Sequence, residues 1–340
     1  MNILVRGTNW IGDAVMSVPA LRRLRTSFPG ARITLLTRKW AAGIFDASGF
    51  ADEIVTFDPE VTGPVALSKI AGKQKFDVGL LLPNSFSAAF SMRLAGTKRR
   101  FGYATEHRGF LLTDTLPVPQ WKDSRHESFY YVNLVAAVER SLLGQVKKLS
   151  LPDISLVVSD SRRQQARKFL IDQGVVGSRP IAAIAAGSTN SGAKRWGAER
   201  YAALNDLLQT KLGVNVVLLG SAAESDVSQK VVNLSDHKPI DLTGKTSLAA
   251  AAAILAEIDL LVANDIGLAH LAPAVNTKTV IIFGPTNHVT TRPFSDLATV
   301  VRAGVECSPC MLRICPIDHR CMTRISPENV YAKIEEVFNR

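Results

Sequence analysis

Short aliphatic runs recur along this chain, and each is apolar at consecutive rather than alternate positions. Ile3–Val5, Ile33–Leu36, Ile54–Phe57 and Val78–Leu82 lie in the first half; Ile181–Ala185, Val214–Leu219, Leu260–Ala263 and Thr279–Phe283 lie in the second. Strands buried on both faces carry that pattern, and they occur in parallel sheets covered by helices. Helical segments fit between the runs. From Ala14 to Phe28, the residues Val15, Val18, Leu21, Leu24 and Phe28 fall on one stripe at helical spacing. Leu248 to Glu257 is rich in Ala and Leu. Strand and helix in alternation predict an α/β protein with parallel sheets.

The two halves open alike. Ile3-Leu4-Val5 runs into Arg6-Gly7-Thr8-Asn9, and Ile181–Ala185 runs into Ala186-Gly187-Ser188-Thr189-Asn190. Each is a strand followed by a polar loop containing glycine. The polar, Pro-containing stretch Gly144–Asp153 reads as the linker between them. The expected architecture is two Rossmann-like domains, 1–150 and 151–325, whose parallel sheets face a central cleft. A C-terminal helix, 326–340, is expected to pack back on the first domain. The length of 340 residues suits two domains at roughly 150 residues each. Ligands of such sheets bind beyond the carboxyl ends of the strands, so the cleft is the expected active site.

Lys and Arg number 40 against 30 Asp and Glu, a net charge of +10. That favours an acidic partner: phosphate, nucleic acid or an anionic membrane surface. The longest apolar run, Leu248–Ala256, is half of the roughly 18 residues needed to span a bilayer. The N-terminus has no apolar core or cleavage site of a signal peptide. The expected location is the cytoplasm, with contact to a membrane surface allowed.

Several strings carry candidate chemistry. In Gly7-Thr8-Asn9-Trp10-Ile11-Gly12-Asp13, Asp13 falls in a first helical turn. It reads as a general base kept ionised by the helix terminus, or simply as an acid that suits the helix dipole. In Asn264-Asp265-Ile266-Gly267-Leu268-Ala269-His270, the amides of Gly267, Leu268 and Ala269 could face a phosphate, and Asp265 could accept from sugar hydroxyls. The plainer account makes Asp265 an N-cap and His270 a core histidine. Gly187-Ser188-Thr189 with Ala193-Lys194-Arg195-Trp196 suits a diphosphate or is a solvated basic loop. Glu224, after the run ending at Leu219, could take a ribose hydroxyl. Lys98-Arg99-Arg100-Phe101-Gly102-Tyr103 and His107-Arg108 could bind phosphorylated ligands or nucleic acid, or form a solvated loop.

Some chemistry is missing. The chain has no Asp-x-Asp pair and no H-E-x-x-H, G-x-S-x-G or Walker A string. Cations and helix termini, rather than a metal held by paired carboxylates, would then neutralise a diphosphate leaving group.

Taken together, the strings resemble the bacterial lipopolysaccharide heptosyltransferases of glycosyltransferase family 9, most of all the type II branch. Arg6 to Met16, Ala193-Lys194-Arg195-Trp196, Asn264 to His270, Phe283-Gly284-Pro285-Thr286, and Cys307-Ser308-Pro309-Cys310 with Cys315-Pro316 appear in the family's order. The resemblance spans nearly the whole chain. It implies a GT-B fold, with acceptor on the N-terminal domain and nucleotide sugar on the C-terminal one. It implies inverting transfer from ADP-L-glycero-D-manno-heptose to a phosphorylated, heptosylated Kdo–lipid A core, with no cofactor. Asp13 matches the catalytic base, Lys194 the diphosphate lysine and Asp265 the acid that holds the heptose. Gly267 and Leu268 match the phosphate-binding backbone, with Ala269 and His270 beside them. Glu224 sits at the ribose-binding carboxylate, with Gly187, Ser188 and Thr189 completing the expected donor contacts. Gly12, Arg99, Arg100 and Arg108 are the expected acceptor contacts. The enzyme would work at the cytoplasmic face of the inner membrane as a peripheral protein. Gly187-Ser188 and the stretch from His288 to Pro293 depart from the family pattern, the latter bearing on donor specificity.

Rival readings remain. Another GT-B glycosyltransferase would share Asp13 but use a different nucleotide sugar or glycan. A nicotinamide oxidoreductase would need G-x-G-x-x-G, which both loops lack. A nucleic-acid-binding protein would leave Asp13 and Asp265 without a role. The cysteines Cys307, Cys310, Cys315 and Cys321 are spaced C-x2-C-x4-C-x5-C. Four thiols could wrap a structural zinc, although the second pair is not a C-x2-C knuckle. Structural thiols, or a disulfide formed on oxidation, are the alternatives. In each case the cluster is expected to stiffen the second domain and take no part in chemistry.

Overall fold

The computed structural model describes residues 1–58, 63–71, 74–148 and 150–338. Leu149 of the expected linker and residues 339 and 340 of the expected C-terminal helix lie outside them. The chain divides into two units, Met1–Val157 and Val158–Arg340.

Among the described residues the first unit holds a six-stranded sheet: β1 Asn2–Arg6, β2 Arg32–Arg38, β3 Glu53–Phe57, β4 Val78–Leu81, β5 Arg99–Tyr103 and β6 Asp114–Leu116. Their order is β3-β2-β1-β4-β5-β6, and every pair is parallel. The second unit repeats this plan with β7 Ile181–Ala185, β8 Asn215–Leu218, β9 Ile240–Asp241, β10 Leu260–Asn264, β11 Lys278–Ile282 and β12 Ala298–Val301. The order β12-β11-β10-β7-β8-β9 is again all parallel. Both sheets therefore reverse direction at one place, between β1 and β4 and between β7 and β10. Loops leaving the carboxyl ends of these strands flank a crevice suited to ligands.

All eight aliphatic runs are strands, as expected. β5, β6, β9 and β12 went unrecognised. They lie toward or at sheet edges, and β5 opens with two arginines. The helix expected from Ala14 to Phe28 is two helices, Ile11–Met16 and Val18–Ser27. Pro19, in the first turn of the second, has no N–H to continue the first.

Val330, Tyr331, Ile334 and Val337 of helix Pro327–Phe338 join the hydrophobic core of the second unit. There the helix packs on helix Ala198–Leu207 and on β11 and β12. Its apolar stripe is used within its own unit.

One buried ion pair joins the helix that follows the Asp13 helix to the long helix of the first unit. Helix Val18–Ser27 lies against helix Glu127–Leu143. Between them the fully buried Glu139 carboxylate accepts from Arg23 Nε at 2.9 Å, from Ser27 Oγ and from the Lys147 amide at 3.1 Å. Removing one partner of such a pair leaves a buried charge uncompensated, a loss of about 3–5 kcal/mol. Arg23→Ala should lower the unfolding free energy by about that amount in a urea titration. A change below about 1 kcal/mol, the scale of an exposed pair, would show that the clamp is not needed.

Candidate functional site

In the first unit, the loop leaving β1 enters helix Ile11–Met16 at Trp10, which supplies no side-chain cap. Asp13 is the third helical residue and half-buried, with Gly12 just before it in the same turn. Its position satisfies the dipole account, yet its surroundings go further. Tyr131, buried in helix Glu127–Leu143, lies close enough to Asp13 to feel its charge. Burial first, and then the Asp13 charge, hold the Tyr131 phenol far above its ordinary pKa. Its hydroxyl therefore stays protonated beside Asp13. No sequence motif marks Tyr131; it reads as one more aromatic on a helix stripe.

The expected acceptor arginines are a correction. Arg99 and Arg100 begin β5, pairing in register with Val78 and Gly79 at the start of β4. They lie at the amino edge of the sheet, opposite the carboxyl edge from which the Asp13 loop emerges. Arg99 is bound by Asp114, and Arg100 by the carbonyls of Leu111 and Thr97. Arg108 is fully buried. Its guanidinium donates to the carbonyls of Tyr103, Pro83 and Ser85 and to Asn84 Oδ1. It braces the loop after β4 and presents no free edge.

In the second unit the candidate residues converge. Asn264, at the end of β10, is fully buried. Its Oδ1 accepts from the Trp196 amide at 3.1 Å and the Tyr201 hydroxyl at 3.0 Å. Its Nδ2 donates to the carbonyls of Ala186 at 2.9 Å and Gly187 at 3.1 Å. The loop after β7 and the segment after Lys194 are thereby tied to Asp265. The Asp265 Oδ2 accepts from Lys194 Nζ and from Thr286 Oγ1, each at 2.7 Å. Lys194 Nζ also reaches the Asp265 carbonyl at 3.2 Å. His270 is buried, with Nε2 3.8 Å from Asp265 Oδ1 and Nδ1 unpartnered among the described residues. Burial alone would raise the Asp265 carboxyl, but the neighbouring His270 and Lys194 outweigh it and hold it well below the usual carboxylate range. Asp265 is not the N-cap: that position is Ile266, which gives no side-chain cap. Nor is Lys194 part of a solvated loop.

Helix Gly267–Ala274 begins directly after this cluster, with Gly267 and Leu268 half-exposed. First-turn amides have no intrahelical acceptor and suit an anion. The expected trio shrinks by one, because the Ala269 amide donates to the Ile266 carbonyl at 3.1 Å. Glu224 is buried in a capping box, its Oε2 accepting from Ser221 N and Oγ at 2.8 Å. It lies so close to the loop after β7 that a Cβ on Gly187 would sit 2.2 Å from its Oε1. Ser188 is buried, its carbonyl bound by Arg195, while Thr189 is exposed.

The cysteines are free thiols; Cys321 is buried and Cys310 exposed. Burial, with the other three thiols nearby, raises Cys321. Among the described residues no set of three or more His, Cys, Asp or Glu could hold a metal ion. The loop that carries them packs on the segments around Ala193 and Gly284. The Arg313 carbonyl accepts from the Ala193 amide, His319 Nε2 meets the Ala193 carbonyl at 2.6 Å, and Ser308 Oγ donates to the Gly284 carbonyl.

Comparison with known proteins places this geometry in context. A family model described as glycosyltransferase family 9 (heptosyltransferase) matches residues 65–320. Lipooligosaccharide heptosyltransferase 2 of Haemophilus influenzae is 28% identical over 99% of both chains. The structure of Escherichia coli ADP-heptose LPS heptosyltransferase II matches with a TM-score of 0.84 at 26% identity, covering 100% of this chain and 99% of that one. A family 9 glycosyltransferase of Veillonella parvula shares the fold, with a TM-score of 0.87 at 22% identity over 99% and 97% of the two chains.

The Asp265 environment gives a pH-dependent stability. A carboxyl depressed by folding stabilises above its unfolded value, and that contribution declines as pH falls toward the folded value. The unfolded value here is near 3.8. Asp265→Asn should therefore be less stable than the wild type at neutral pH, with the gap closing as pH falls below that value. Thermal unfolding from neutral to acidic pH checks this; a gap that widens on acidification would refute it.

Proposed function

This chain belongs to glycosyltransferase family 9, and we propose that it moves L-glycero-D-manno-heptose from ADP-heptose to the heptosyl-Kdo inner core of lipopolysaccharide, with inversion at the anomeric carbon. The observation that carries the reading is the Lys194–Asp265–Thr286 cluster beside the open first turn of helix Gly267–Ala274. It supplies a cation, donor amides and an ionised acid within one short stretch of structure. The names carried by its relatives support the choice of sugar and acceptor.

In this mechanism the second unit holds the donor. An ammonium has three hydrogens, and two of those on Lys194 reach Asp265. The third, with the Gly267 and Leu268 amides, faces the diphosphate. Asp265 accepts from heptose hydroxyls, with His270 beside it; Gly187, Ser188, Thr189 and Glu224 flank the nucleoside. The first unit supplies the base. Asp13, with Tyr131 beside it, takes the proton of the acceptor hydroxyl as its oxygen bonds to the anomeric carbon. The bond from that carbon to the diphosphate breaks on the opposite face, and ADP leaves with the electron pair. Charge growing on the diphosphate meets donors already in place, which is how a site without a bridging metal lowers the barrier. No cofactor is required.

The acceptor is anchored in lipid, so the enzyme works as a peripheral protein at the cytoplasmic face of the inner membrane. Among the described residues no helix is long and apolar enough to cross a membrane. The +10 charge supports attraction to an anionic surface, at on the order of 1 kcal/mol per basic residue near it.

Incubation with ADP-heptose and heptosyl-Kdo–lipid A, read by product mass, tests the reading directly. A thermal-shift series with ADP-, UDP- and GDP-sugars should select the ADP donor; selection of UDP or GDP would point to another glycan.

Asp13→Asn should lower kcat by about 10² or more, the scale of a lost general base, with ADP affinity unchanged. Retention of half the turnover would reduce Asp13 to a helix-dipole residue. Lys194→Ala removes a charge-assisted contact and should weaken ADP binding by roughly 1.5–3 kcal/mol while slowing transfer. Calorimetry giving equal affinities for the two proteins would exclude Lys194 from the donor site.

A further inference from the structure

With Arg99, Arg100 and Arg108 engaged elsewhere, two other arginines stand at the carboxyl edge of the first sheet, at the root of the loop that leads to Asp13. Arg6 ends β1 and Arg38 ends β2, neighbouring strands at the carboxyl edge of the first sheet. Arg6 is 5% exposed. Its guanidinium lies 4.3 Å from the Phe57 ring centroid and donates to the Gly7 carbonyl and, at 3.0 Å, to Asn9 Oδ1. Arg38, half-buried at the rim, brings its Nε to 3.4 Å from the same Asn9 oxygen.

Two like charges thus share one amide oxygen. Among the described residues neither has an ion-pair partner, and the charge that acts on Arg6 is the repelling one of Arg38. Burial, and then that repulsion, lower the Arg6 pKa. Arg6 Nε and Thr8 Oγ1, both buried in this short stretch, have no hydrogen-bond partner among the described residues. A buried charge without a counter-charge is costly, and so is an orphaned buried donor. The arrangement is explained if the counter-charge arrives with a ligand. The two guanidiniums take Asn9 Oδ1, which leaves the amide Nδ2 as the donor available to a ligand. Asn9 lies one residue before the cap of the helix that carries Asp13.

We propose that Arg38, Asn9 and the underlying Arg6 form an anion subsite on the acceptor side, which holds an acidic group of the sugar acceptor, phosphate or carboxylate, beside the attacking hydroxyl. This rests on the acceptor reading given above. Arg38 and Asn9 touch the anion; Arg6 adds charge from beneath and positions Asn9. The subsite selects an acidic acceptor and sets the direction from which its hydroxyl meets Asp13.

The test compares wild type, Arg38→Gln and Arg6→Gln on heptosyl-Kdo–lipid A with and without its phosphates. Each variant should raise the acceptor KM about tenfold or more, the scale of a lost charge-assisted contact. kcat should change less, and ADP affinity, measured by calorimetry, should hold. A KM penalty that vanishes on the dephosphorylated acceptor assigns the subsite to phosphate; one that persists assigns it to the Kdo carboxylate. Unchanged acceptor KM in the rim variant Arg38→Gln, with ADP affinity intact, overturns the proposal. Should the wild type transfer to neither acceptor, the acceptor reading fails by itself. The subsite is then judged by inorganic phosphate against chloride at equal ionic strength: phosphate should raise the wild-type Tm more than that of Arg38→Gln, and equal shifts refute it.

Discussion

The side chain of Asn264 uses all of its hydrogen-bonding capacity inside the protein. A primary amide offers two donors and two acceptor positions. Here the donors meet the Ala186 and Gly187 carbonyls, and the acceptor positions meet the Trp196 amide and the Tyr201 hydroxyl. With no solvent to substitute, each bond is costly to lose. The consequence is positional. The stretch from Ala186 to Tyr201 is fixed at several points to the end of β10, at sequence separations of 63 to 78 residues, and the next residue is Asp265. Lys194 lies two residues before Trp196, so the distance at which its ammonium meets Asp265 is set by this amide. The Cys-rich loop reinforces the same segment from outside, through Arg313 and His319 on Ala193.

The first unit reaches an equivalent result with charge in place of an amide. Arg23 and Glu139 join the helix after Asp13 to the helix of Tyr131. Arg108 draws together the carbonyls that follow β4. Each guanidinium is met by several acceptors of the protein itself. The sheet can then present its carboxyl edge as a rigid rim, and Asp13 is held in place by packed helices rather than by a loop. Pre-positioned groups of this kind need little reorganisation when charge moves in the reaction.

The core of this fold was legible because central parallel strands must be aliphatic throughout, and that pattern survives without any partner information. Edge strands escape for the converse reason. β5 begins Arg99-Arg100, and its first residues are only half-buried, so they read as a basic loop. That misreading carried a functional error with it. Cations placed in a loop can be imagined at any ligand, whereas cations at the amino end of a strand face the wrong side of the sheet. On the donor side, Lys194 and Asp265 were visible because each sits in a short distinctive string. Their mutual contact was not, nor was Thr286 as the third member, since pairing across 71 residues depends on tertiary structure. Tyr131 left no trace at all.

Arg6 and Arg108 show why burial alone does not assign a role. Both are arginines sealed from solvent within the same unit. Arg108 is surrounded by carbonyl oxygens and an amide oxygen, dipoles that replace water around a cation and leave nothing over. Arg6 has one amide oxygen shared with another cation, a neighbouring carbonyl and an aromatic face, with its Nε unmatched. For the first, the protein itself completes the solvation, and the residue is a brace. For the second it does not, and the charge is stable only to the extent that something anionic completes the shell. The difference lies in the oxygen atoms around each guanidinium, which no reading of residue types in order could supply. In the reading proposed above, recognition of an acidic acceptor falls on the strand ends that also lead into Asp13, so that binding and proton abstraction would share one short loop.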